Sequence, residues 1–117
     1  MKIKEIVELL DAKVLAGAAN VDKEVFSACG SDMMSDVLAY VKNQSVLLTG
    51  LCNPQVVRTA EMMDMCCIVF VRGKEPDANV LALAENHGMV ILSTEKRMYP
   101  ACGILYLNGL REAGSNG

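Results

Sequence analysis

The chain has 117 residues, 52% of them hydrophobic and 4% aromatic, with 11 basic and 14 acidic side chains for a net charge of −3. That length makes one domain able to bury a core without staples. No apolar run reaches the roughly 18 residues of a membrane span. Scattered basic residues and few aromatics supply neither the charged stripe nor the stacking platform of a nucleic-acid surface, so neither membrane nor nucleic acid is an expected partner.

The first segment, KIKEIVELL, places Ile3, Ile6, Val7 and Leu10 at helical spacing. Acidic groups interrupt it, so it does not read as a signal peptide, and a cytoplasmic location is expected. KVLAG (13–17) and EVFSACG (24–30) are strand candidates, divided by the turn-like AANVDK. After Gly30 the segment SDMMSDVLAYV reads as a helix, with Ser31 or Asp32 as its N-cap. Three apolar runs follow: SVLLTG (45–50), CIVFVRG (67–73) and MVILST (89–94). They are short, β-branched and not alternating, the pattern of strands covered on both faces.

Two helical segments separate these runs. PQVVRTAEMMDM (54–65) turns Val56, Ala60 and Met63 inward and has Pro54 in its first turn. DANVLALAENHG (77–88) turns Val80, Leu81 and Ala84 inward, with Asp77 as N-cap and Gly88 as stop. EKRMYPACGILYL (95–107) is a last helix, delayed or kinked by Pro100 and Gly103. Strand and helix in alternation with short connections mean βαβ units. The expected fold is a single α/β domain over residues 1–108, with a mostly parallel sheet flanked by helices and a flexible tail over 109–117.

In a parallel sheet, ligands bind beyond the carboxyl ends of the strands. Those ends hold Gly30, Ser31 and Asp32, then Thr49, Gly50 and Asn53, then Arg72 and Gly73, and last Ser93 and Thr94. These ten residues are the candidate ligand site: the glycines permit close backbone approach and the hydroxyls offer hydrogen bonds. Asp32 is read chiefly as a helix cap. With Asp36 one turn on it could share a cation, but the further oxygen ligands such an ion requires are lacking, so no metal site is expected.

Five cysteines (29, 52, 66, 67 and 102) and one histidine complete the reactive groups. No CxxC or Cys/His spacing points to zinc, and an odd cysteine count without an export signal argues against disulfides. His87 sits at a helix end, where imidazole meets the dipole favourably. Cys52 is the best nucleophile candidate, but no His is near it in sequence. No phosphate-binding GxxxxGK[ST] or complete GxGxxG motif is present. No catalytic residue or cofactor is therefore expected, and a cysteine-dependent enzyme or iron–sulfur redox protein is the alternative reading.

The segments SDMMSDVLAYV, LLTG, NPQVVRTAEMMDMCCIVFVRGKEPD and GMVILST, in this order over roughly residues 1–108, resemble the DRTGG domain family. That family is similar to the N-terminal domain of HPr kinase/phosphatase and also occurs beside CBS domains in regulated pyrophosphatases. The resemblance implies an α/β fold, a homodimer and a regulatory or ligand-sensing role. The ligand expected from it is a small anion such as an adenine nucleotide, or else a partner protein. Eight methionines in so small a chain also suit an interface. The chain departs from the family name: Cys52-Asn53 stand where the Asp-Arg pair is expected, and Arg72-Gly73-Lys74 replaces the Thr-Gly-Gly loop.

Overall fold

The computed structural model describes residues 1–40 and 45–112, with only the backbone of Tyr40. Residues 113–117 of the expected tail lie outside the described residues. Helix α1 (Ile3–Leu10) buries Ile3, Ile6 and Leu10, and leads to β1 (Lys13–Ala16) and a short 3-10 turn over Ala18–Asn20. Next come β2 (Ser27–Gly30), α2 (Met34–Tyr40) and β3 (Ser45–Thr49). Helix α3 (Pro54–Met62), β4 (Cys67–Phe70), α4 (Ala78–Asn86), β5 (Val90–Ser93) and α5 (Met98–Leu107) complete the order.

The five strands form one sheet in the order β1-β5-β4-β3-β2. Strands β2 to β5 are parallel in successive pairs, and β1 adds to β5 antiparallel at the edge. The mostly parallel α/β fold is thus present. Strands β3, β4 and β5 are buried along their whole length, which is why their sequences do not alternate.

Strand order advances in one direction from β2 to β5, and crossovers of one hand then stack α2, α3 and α4 on a single face. Val37, Leu47, Val56, Ile68, Phe70 and Val80 fill that layer. Alternate strand residues, among them Val46, Leu48, Val69 and Leu92, point the other way and pack with α1 and α5. The result is a three-layer sandwich in which α5 alone of the helices following a strand lies on the α1 side.

Local signals set most boundaries. Asn53 and Asp77 accept N–H groups from Val56 and Val80, capping α3 and α4. Gly88, at φ +68°, ends α4 in the left-handed conformation that glycine adopts at least cost. Val80 and Ala84 are buried as expected, whereas Leu81 and Met63 are only half-buried at the margins of their helices.

Three expectations need correction. Asp32 does not cap α2, which begins at Met34; its carboxylate reaches sideways to the next strand's loop instead. The strand expected over 24–30 pairs with β3 only from Ser27, because Glu24 is used in a single bridge with Lys2. The packed chain continues past residue 108: Leu110 is buried, and the Arg111 carbonyl accepts the Ala28 N–H at 2.8 Å on the outer edge of β2.

Candidate functional site

The loops following the parallel strands meet around Gly50. Strand β3 ends in Thr49, whose side chain is wholly buried. Its hydroxyl donates to Asp32 Oδ1 at 2.9 Å and accepts the Leu51 N–H at 3.1 Å. The Gly50 N–H donates to the same Asp32 oxygen at 2.7 Å. One carboxylate oxygen thus ties the β2 loop to the β3 loop.

These bonds also set the charge. The Gly50 N–H holds the Asp32 carboxyl below the usual aspartate range; burial opposes it, and the Thr49 hydroxyl and the positive charge of Arg72 add smaller lowering effects. Asp32 is ionised at neutral pH, and its side chain remains exposed.

Arg72 comes to the same place from the loop after β4. Its backbone is left-handed at φ +60°, as is Gly73 at +67°. Two backbone bonds hold that conformation: Arg72 N–H to the Lys96 carbonyl and Gly73 N–H to the Thr94 carbonyl, each 2.8 Å. A side chain at residue 73 would also meet Glu95, whose Oε2 lies 2.6 Å from where a Cβ would stand. The loop so fixed lays the Arg72 guanidinium against Gly50, where a Cβ would collide with its terminal nitrogen. Among the described residues, no carboxylate pairs with that guanidinium within 4.0 Å.

Of the ten residues expected at a site, Asp32, Thr49, Gly50, Arg72 and Gly73 come together here. Gly30 faces α5, and its missing Cβ makes room for Cys102 Sγ, which would stand 2.7 Å away. The Ser31 hydroxyl is used in a local turn, accepting the Met33 N–H at 2.9 Å. Asn53 spends its side-chain oxygen on the α3 cap. Ser93 and Thr94 are buried, and donate to the carbonyls of Lys74 at 2.8 Å and Leu10 at 2.7 Å.

Two residues outside that set belong to the neighbourhood. Cys52 is half-buried beside the loop, and burial pushes its thiol up, while Lys74 and Arg72 pull it the other way. Lys74 is therefore a second cation close to the site; its place directly after Arg72-Gly73 was the available signal. His87 lies elsewhere: its Nε2 pairs with Glu61 at 3.0 Å, joining the C-terminal ends of α3 and α4.

Residues 5–106 match the model of the DRTGG domain. The chain belongs to the DRTGG domain family. Among solved structures, this DRTGG domain is similar to the CBS and DRTGG domains of the regulatory region of a Clostridium perfringens pyrophosphatase, complexed with the activator diadenosine tetraphosphate. The TM-score is 0.73 at 9% identity, over 97% of this chain and 51% of that one. The domain spans about half of that structure, and at this identity the likeness is one of fold. No curated protein matches the chain.

The family's acidic–basic pair is missing at Cys52-Asn53, yet Asp32 and Arg72 bring one of each charge to Gly50 from two separate loops. Such an arrangement offers a ligand contacts of both charges.

Proposed function

We propose that this domain is a non-catalytic regulatory module that binds a small anionic ligand, foremost an adenine nucleotide, at the loops around Gly50. The observation that carries this reading is the Arg72 guanidinium, which lies against Gly50 and pairs within 4.0 Å with no carboxylate among the described residues. A guanidinium placed so offers its fork of donors to a phosphate. The adenine choice draws on the solved relative, whose CBS and DRTGG regulatory region carries diadenosine tetraphosphate. Of the ten candidate residues, Asp32, Thr49, Gly50, Arg72 and Gly73 form the working set. The cysteine-dependent alternative is weaker, since burial raises the Cys52 thiol and so lowers its thiolate fraction.

The same reading has the domain act as a cytoplasmic homodimer. Exposed Phe26, Tyr99, Tyr106 and Leu107 support an interface near β2 and α5. A groove of about 470 Å³, lined by Ala28, Leu48, Leu105, Tyr106 and Leu110, offers a partner protein apolar contact on the same side.

Thermal shift with AMP, ADP, ATP and diadenosine tetraphosphate tests the ligand reading, because a ligand bound only to the folded state raises Tm. Gly50→Val should remove that rise while leaving the circular dichroism spectrum unchanged, since the clash falls on the far end of a flexible side chain. No rise with any of the four in the unmutated protein would refute it.

A further inference from the structure

Asp32 is an awkward neighbour for an anion, and that points to a second component of the ligand. Only its Oδ1 is engaged, by the Gly50 N–H and the Thr49 hydroxyl. Among the described residues no donor bonds to Oδ2, and the side chain is open to solvent. An ionised carboxylate anchored through one oxygen is a pure acceptor at the other. It repels phosphate, and it favours a neutral group carrying hydroxyl donors.

Arg72, across Gly50, has the opposite requirement. The pair therefore fits one molecule with a phosphate at one end and hydroxyls nearby. Vicinal hydroxyls suit a carboxylate best, as in dinucleotide sites where an acidic side chain takes the ribose. The absence of a side chain at Gly50 lets the guanidinium lie against the loop backbone whose N–H binds Asp32, because a side chain there would displace it.

Building on the nucleotide reading above, we infer that Asp32 makes the site selective for a ribonucleotide, its free oxygen accepting from the sugar diol while Arg72 holds phosphate. Asp32 is then a specificity residue. It strengthens binding of phosphate esters that carry a diol and weakens binding of bare anions of equal charge.

Calorimetric titration of the full chain with AMP, 2′-deoxy-AMP and inorganic pyrophosphate tests this. AMP should bind at least about tenfold more tightly than 2′-deoxy-AMP, the size of one hydrogen bond to a charged group. Asp32→Asn keeps an oxygen for Gly50 and Thr49 but loses the charge. It should remove the preference for AMP and leave pyrophosphate affinity equal or higher. Equal affinity of the unmutated protein for AMP and 2′-deoxy-AMP overturns the inference and leaves the nucleotide reading standing. So does a uniform loss across all three ligands in D32N. Binding of pyrophosphate alone, or of none of the three, overturns the inference; the nucleotide reading itself falls only if none of AMP, ADP, ATP and diadenosine tetraphosphate raises Tm.

Discussion

Asp32 offers the sharpest test of how the loops are held. Asp32→Ala removes the shared acceptor of the Gly50 N–H and the Thr49 hydroxyl. Hydrogen bonds to a charged group contribute about 1.5–3 kcal/mol each when water cannot replace them. Here water can reach Gly50, which is half-buried, so that bond is largely compensated. Thr49 is buried: its oxygen still accepts the Leu51 N–H, but its hydroxyl proton loses its acceptor, and this sets most of the cost. The expected cost is about 1–2 kcal/mol for Asp32→Ala, and about half of that for Asp32→Asn, which retains a neutral acceptor.

Urea denaturation of Asp32→Ala, Thr49→Val and the double variant gives the decisive number. Residues sharing a hydrogen bond should couple by about 0.5–1.5 kcal/mol. A helix cap on α2 would give no coupling with Thr49. Additivity within about 0.3 kcal/mol would refute the cross-loop bond. The pH dependence has a fixed sign. The lowered carboxyl value means that the stabilisation is complete above the ordinary aspartate value of about 3.9. It is lost as pH falls through the lower folded value. The stability gap between the unmutated protein and Asp32→Asn should accordingly close in acid.

Two glycines should respond oppositely to alanine. Gly17, at φ +74°, would drive a Cβ into the Met89 backbone, so Gly17→Ala should cost more than about 1 kcal/mol in urea denaturation. Gly103 lies within α5 with nothing inside 4 Å of an added Cβ, so Gly103→Ala should stabilise by about 0.5–1 kcal/mol. Burial raises all five thiols, so a disulfide-exchange reagent at neutral pH should modify them slowly. Cys67, wholly buried in β4, should react only on unfolding, and fast labelling of it in the native protein would contradict its placement. Light scattering at micromolar concentration should return twice the chain mass, and a monomer there would remove the proposed interface.

Residue patterning by itself determined the architecture. Runs such as VLL (46–48) and VIL (90–92), too short for helices and apolar at every position, have only a doubly covered strand available to them. Pro54, Asp77 and Gly88 marked helix ends because their effects are local, reaching no further than one turn. The parallel sheet followed from alternation and short connections alone. What Asp32 does was not legible in this way. A carboxylate after a strand and before a helix looks like a cap, and its true partners, Thr49 and Gly50, lie 17 and 18 residues away. The same holds for the other site residues. Ser93 and Thr94 look like ligand hydroxyls until packing buries them against Lys74 and Leu10. Arg72 looks like a loop replacement until the left-handed turn swings it over Gly50. Periodicity records which face of an element is apolar; the direction of a polar side chain at a loop depends on which other loops the fold brings beside it, and only the tertiary structure decides that.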